Sequence, residues 1–243
     1  MLVQDAVTNF RDATRHCDNM IAVHRRANPD RGGRRTVESS INRGTIVMTV
    51  ASWQAFVQDV ATALRDGAVA ELGTAQPGDL VRAAMKQWER DLTVGIEKFS
   101  TPGPGQTCAL MKRAGFDPRQ SWTWKQRGGQ GRGPFLVQPT HVETVINHWL
   151  KVRHELAHGH ATITASPVLG AVRSSGTRTT KSPTVRLTDA IDCLTFFRAL
   201  AYLTAGSAAH FLGTPDPIWD PRPKLALGIN VSQLVAAHGR GAP

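Results

Sequence analysis

Nine consecutive residues, Val152-Arg153-His154-Glu155-Leu156-Ala157-His158-Gly159-His160, carry an arginine, a glutamate and three histidines. Two chemistries fit their spacing. Read from Arg153, a histidine follows five positions on, at His158. Cleaving RNA without a metal needs such a pair. An imidazole, with an unperturbed pKa of about 6.5 as a residue type, moves a proton near neutrality. A guanidinium holds phosphate oxygens in a permanent planar fork. Read from His154, the same stretch is H-E-x-x-H, in which His154 and His158 lie on one helical face as zinc ligands and Glu155 serves as base. That reading lacks an obvious third ligand. No Glu follows Glu155, and His160 is too close along the helix, which leaves Asp189, Asp192, His210 or Asp216.

Geometry constrains the first reading as well. Five helical positions rotate by about 140°, so Arg153 and His158 do not share a face. They converge on one phosphate only if Arg153 reaches around the helix or a two-fold dimer supplies a second motif. Arg153 also sits between Trp149 and Leu156 beside an apolar stripe. A cation there requires a partner or an interface, because an unpaired buried charge is costly.

The elements that must position these residues are helical. Residues 3–26 read as a first helix from Val3, Val7, Phe10, Ala13 and Ile21. A basic turn, Asn28 to Arg35, ends it. A second helix from about Val37 to Leu64 carries Ile46, Val50, Trp53, Val57, Val60 and Leu64 at three- and four-residue spacing. Pro77-Gly78-Asp79 starts a third helix, with Leu80, Ala84, Trp88 and Leu92. The break Thr101-Pro102-Gly103-Pro104-Gly105 precedes a short helix through Leu110 and Met111. The motif helix is expected from Thr140 as N-cap, with Glu143 completing a capping box, and Gly159 is placed to end it. Residues 161–186 form a long Ser/Thr/Gly/Pro-rich loop with Arg173, Arg178, Lys181 and Arg186, functional or partly disordered. A last helix spans Thr188 to about Leu212. The expected class is all-α, a helical bundle with long loops, divided into an N-terminal helix and turn (1–36), a main helical domain (37–213) and a Pro-rich tail (214–243).

Before the motif helix lies a basic, Gly-rich stretch containing Trp122, Trp124, Lys125, Arg127 and Arg132. It reads either as a mobile surface loop or as an RNA contact in which Trp stacks a base and Lys and Arg hold phosphates. Twenty-nine basic against nineteen acidic residues, a formal charge of +10 over 243 residues, favour encounter with a polyanion. Cys17, Cys108 and Cys193 are odd in number and far apart, so neither a disulfide framework nor a Cys-based zinc site is expected, and a reducing cytoplasm fits best. The N-terminal residues lack the basic lead and apolar run of a signal peptide. The longest apolar stretch, around Ile46 to Val60, is too polar and short to span a membrane.

Arg153-His154-Glu155-Leu156-Ala157-His158-Gly159 resembles the R-x4–6-H motif of HEPN-domain ribonucleases, in which a polar residue often follows the Arg and Gly follows the His. Upstream segments resemble the RiboL-PSP-HEPN-like branch. Asn42-Arg43 through Ile46, then Ala51 to Phe56, is similar to its "N-R-x-x-I … A-x-x-E-x-[YF]" helix, with Gln54 at the Glu position. Phe99-Ser100-Thr101-Pro102, Ala114-Gly115-Phe116 and the Trp122/Trp124 pair resemble its "F-x-T-P … G-[IFL] … W" connection. The ordered series covers residues 38–212. The resemblance implies an all-α homodimer with metal-independent endoribonuclease activity on single-stranded or loop RNA, 2′,3′-cyclic phosphate products and no cofactor. Arg153 and His158 inherit phosphate stabilisation and proton transfer, with His154, Glu155, Gln54 and Arg43 in support. Relatives act as toxins, antiphage effectors or RNA processors, so an antitoxin or regulatory partner is implied. The alternatives are a HEPN-fold protein that binds RNA or a partner without cutting, and a zinc hydrolase using His154 and His158.

Overall fold

The computed structural model describes residues 1–26, 36–75, 77–127, 133–160, 162–174 and 183–229. Among them are seven helices: α1 (Val3–Arg26), α2 (Thr36–Ala75), α3 (Asp79–Glu97), α4 (Pro104–Arg113), α5 (Pro139–Ala157), α6 (Gly170–Ser174) and α7 (Leu187–Phe211). A 3-10 turn (Pro118–Ser121) and a two-stranded antiparallel hairpin, β1 (Trp124–Gln126) with β2 (Phe135–Val137), join α4 to α5. The class is all-α.

The centre of the bundle is α2 with α1 and α7 packed along it. Helix α1 buries Val3, Val7, Phe10, Thr14, Cys17, Ile21 and His24, an alternation of four and three that keeps one seam facing its neighbours. Helix α2 answers with Ile46, Val50, Trp53, Val57, Val60 and Leu64, all buried as their spacing predicts. Helix α7 contributes Phe196 and Phe197 beside fully buried Ala199, Ala201, Ala205, Ala208 and Ala209. These small side chains allow close helix approach. Gly67 of α2 extends that approach, because a Cβ there would lie 2.8 Å from Leu212 Cδ2. The core thus includes residues of the segment set apart as 1–36.

Several element ends depart from expectation for identifiable reasons. Helix α2 continues eleven residues past Leu64 to Ala75. Its apolar stripe stops where the core stops, so periodicity carries no sign of the extension, while Ala, Leu and Glu sustain the helix. The N-cap of α5 is Gln138, not Thr140. Pro139 occupies the first helical position without losing a hydrogen bond, and Gln138 N donates to His141 Nδ1 at 3.0 Å. Glu143, expected in a capping box, instead faces Arg119 at 4.0 Å.

The described parts of 161–186 are built into the protein. Ile163, Val168, Leu169 and Val185 are buried, and α6 is tied to α7 by Gly170 N donating to Asp189 at 2.6 Å. Arg173 pairs with Asp192 at 2.6 Å and also donates to the carbonyl of Gly228. The tail is likewise engaged as far as it is described: Leu227 and Ile229 are buried, and Leu227 N donates to Gln126 Oε1 of β1 at 2.9 Å. The basic turn at Asn28 to Arg35, together with Arg132, Arg178 and Lys181, lies outside the described residues.

Asp117 starts the 3-10 turn that leads into the hairpin. Its carboxylate accepts from Arg119 Nε at 3.1 Å and Nη2 at 3.0 Å, and pairs with Lys112 at 3.0 Å. The Arg119 hydrogen bond, helped by Lys112, holds its pKa down at about 2. The folded value lies below the unfolded one of about 3.9, so the stabilisation is present above pH 4 and is lost as pH falls through 2. Asp117→Asn is therefore expected to cost about 1–2 kcal/mol at pH 7, with variant and wild type converging near pH 2. Denaturant titration at both pH values checks this.

Candidate active site

The motif helix ends in a closed turn. Gly159 has φ +67°, a left-handed conformation that glycine adopts without steric cost. Gly159 N donates to Leu156 O at 3.2 Å, and His160 N reaches back to Glu155 O at 3.0 Å. This is the Schellman pairing, which satisfies carbonyls that a helix end leaves open. Gly159 does end the helix, as its type and place predict. The reversal gathers three imidazoles at one end of α5: the rings of His154 and His158 are 4.3 Å apart, and those of His158 and His160 are 6.2 Å apart. All three are exposed.

Arg153 occupies a different environment. It is half-buried beside Val152 and Trp149, and its Nε is buried with no hydrogen-bond partner. Among the described residues it enters no ion pair. A desolvated guanidinium nitrogen without an acceptor is unfavourable, and the rest of the half-buried guanidinium has no counter-ion among the described residues. Arg43 of α2 is likewise half-buried with an unpartnered Nε. Two arginines of the site prediction therefore have unused hydrogen-bonding capacity at a buried atom.

Glu155 is not aimed at the histidines' solvent side. It is buried, and its carboxylate accepts from Thr164 N at 2.7 Å. Burial alone would raise its pKa; the Thr164 hydrogen bonds, with Lys151 and His160, outweigh that and lower it. The carboxylate thus latches the segment after His160 onto the motif helix. Thr164 was invisible to sequence reasoning, since a backbone amide has no residue signature.

Gln54 has a different partner from the one its place in the resemblance implies. Its amide donates to Phe99 O at 3.1 Å, while Gln58 of the next turn donates to Ile96 O at 2.8 Å. Both glutamines cap carbonyls at the end of α3, and Gln54 does not bond Arg153. This position supports the packing of α3 on α2, with Arg153 left unpaired.

The hairpin divides the expected RNA contacts into two groups. Lys125 and Arg127 are exposed, as phosphate contacts require. Trp122 and Trp124 are not available to stack a base: they are 0% and 5% exposed. Trp122 Nε1 donates to Thr204 Oγ1 of α7 at 3.0 Å, and Trp124 pairs with Val137 on the inward face of the hairpin. Alternation along β1 sends Trp124 inward and Lys125 outward. Because β2 leads directly into α5, the hairpin and His158 stand at opposite ends of that helix, about 28 Å apart at 1.5 Å per residue.

Comparison with known proteins leaves the question with the residues. The chain matches no protein-family model, no curated protein and no solved structure. For the zinc alternative, His154 and His158 share a face as predicted, but among the described residues no group of three His, Cys, Asp or Glu side chains could hold a metal ion. Of the third ligands considered, Asp189 accepts from Gly170 N and Arg186 N, and Asp192 is paired with Arg173. Glu155, the expected base, is occupied by Thr164. The three cysteines are free and buried, and no described helix is long and apolar enough to cross a membrane.

Proposed function

We propose that this chain is a HEPN-type, metal-independent endoribonuclease of the RiboL-PSP-HEPN-like branch, cleaving single-stranded or loop RNA. The observation that carries the reading is the pairing of a half-buried arginine that lacks an acceptor, Arg153, with exposed imidazoles at the end of the same helix. A phosphate held by the guanidinium of Arg153 would give that cation the counter-charge it lacks among the described residues, and the charge growing on the phosphate during attack would strengthen the interaction.

In the proposed reaction the 2′-oxygen attacks phosphorus as its proton passes to a base. The bond from phosphorus to the 5′-oxygen breaks, and that oxygen takes a proton. The products are a 2′,3′-cyclic phosphate and a 5′-hydroxyl. His158 serves one proton transfer, and His154, with its ring 4.3 Å away, provides a second imidazole in the same place. The angular offset of Arg153 from His158 favours a homodimer in which each protomer completes the other's cleft. Lys125 and Arg127 track the RNA backbone away from the cut. A cytoplasmic role as a toxin, antiphage effector or RNA processor, held in check by an antitoxin, belongs to the same proposal.

The test is cleavage of a labelled mixed-sequence RNA in excess EDTA across pH 5.5–8. Wild-type protein is expected to cut with cyclic-phosphate ends and with a rate that changes over that range. A rate flat across it, with chemistry limiting, would remove His158 from the mechanism. Binding without cutting would establish the HEPN-fold binding protein instead, and cutting that EDTA abolishes would return the His154/His158 metal site.

A further inference from the structure

A groove of about 1100 Å³ runs between the start of α1, the second half of α2, the end of α7 and the chain just after it. None of its lining belongs to α5 or the hairpin, so it is separate from the histidine cluster. Its floor on α2 is small, with Ala63, Gly67 and Ala70, while Leu2, Phe211 and Ile218 stand 65%, 51% and 71% exposed around it. Large apolar side chains held open to water beside one concavity mark an interaction surface.

Charge distinguishes what fits there. The lining carries Asp66, Glu71 and Asp216 and no Lys, Arg or His side chain; the Met1 ammonium, also in the lining, pairs with Asp66 at 2.6 Å, which leaves Glu71 and Asp216 as its carboxylates without an ion pair among the described residues. This occurs on a chain with 29 basic and 19 acidic residues, so the groove is an acidic exception on a basic protein. A nucleic acid is repelled from it, and a basic partner is attracted. At about 1100 Å³ the groove lies at the upper end of small-molecule sites, and the exposed Leu2, Phe211 and Ile218 extend its apolar surface further. Its walls are also preformed. Gly67 seats Leu212 against α2, Thr214 N donates to Ala209 O at 2.9 Å, and Ile218 N donates to Gln4 Oε1 at 2.7 Å. A preformed groove spares a ligand the ordering cost of making one.

We propose that this groove docks an amphipathic helix of a protein partner, its apolar face flanked by Lys or Arg. Leucine-type anchors at i, i+3/i+4 and i+7 fill the apolar walls, and the flanking cations meet Glu71 and Asp216. The inference does not rest on the ribonuclease reading.

Two fluorescent helical peptides of about five turns, with identical Leu faces flanked by Lys in one and Glu in the other, are titrated with the full chain and followed by anisotropy. The Lys peptide is expected to bind at least about tenfold tighter than the Glu peptide, despite the protein's overall positive charge. Glu71→Lys with Asp216→Lys should erase that preference, and Ile218→Asp should weaken the Lys peptide by about tenfold or more. All three positions lie outside the catalytic proposal, so RNA cleavage by these variants should match wild type. Equal binding of the two peptides, indifference to Ile218→Asp, or displacement of the peptide by RNA would each overturn the proposal. So would sedimentation showing a dimer that Ile218→Asp dissociates, since the occupant would then be a second copy of this chain.

Discussion

His158→Ala and Arg153→Ala are each expected to reduce single-turnover RNA cleavage by about 10²–10⁴-fold. The informative part of this prediction is what happens to stability at the same time. His158 is exposed at the end of α5, so its loss should leave stability within about 0.5 kcal/mol of wild type. Arg153 is half-buried, and its Nε has no acceptor. Were it a structural arginine, replacing it would break an ion pair or a hydrogen bond, and none exists among the described residues. Arg153→Met, which keeps the aliphatic packing and removes the desolvated charge, should therefore keep or raise the melting temperature while abolishing cleavage. Arg153→Lys should stay well below wild-type activity, because an ammonium cannot present the planar fork to two phosphate oxygens. Melting curves run beside cleavage assays decide the matter: loss of fold together with activity in Arg153→Met would count against the catalytic role.

Trp122→Ala is expected to destabilise the protein by about 3–5 kcal/mol. Trp122 is fully buried, reaches α7 through its indole N–H to Thr204, and sits where the turn after α4 enters the hairpin. Its removal leaves a large cavity and a lost hydrogen bond in one position. Trp122→Phe, which keeps much of the volume and loses the donor, should cost less, about 1–3 kcal/mol. Denaturant unfolding measures both. The contrast with Lys125→Ala and Arg127→Ala is the second half of the expectation. Those exposed changes should leave stability unchanged and weaken RNA binding with a shallower salt dependence. If Trp122→Phe selectively lost RNA affinity at unchanged stability, the burial argument would fail and base stacking would return.

The two tryptophans show why the hairpin was only half legible. An aromatic pair beside Lys and Arg has the composition of a nucleic-acid surface, and composition is silent about direction. Direction is set by the β1–β2 pairing, which turns Trp124 inward beside Val137 and Lys125 outward. A strand of three residues is too short for its alternation to stand out in a sequence. Gln54 is a similar case. Its place in a series of weak motif matches suggested support for Arg153, whereas the packing of α3 on α2 delivers Phe99 O to it.

The amino-acid sequence by itself determined the all-α class, the stripe of α2 and the glycine stop after His158. Each depends on interactions within a few residues: apolar periodicity on one helix face, or the steric freedom of one residue at positive φ. It also determined that His154 and His158 share a face, since four residues make nearly one turn. Tertiary structure alone decided which charged groups are satisfied. Glu155 found Thr164 nine residues on, Asp189 found Gly170 nineteen residues back, and Arg153 found no partner. Those outcomes depend on chain segments brought together by burial of the core, and a local pattern does not encode which backbone amide will arrive beside a given carboxylate.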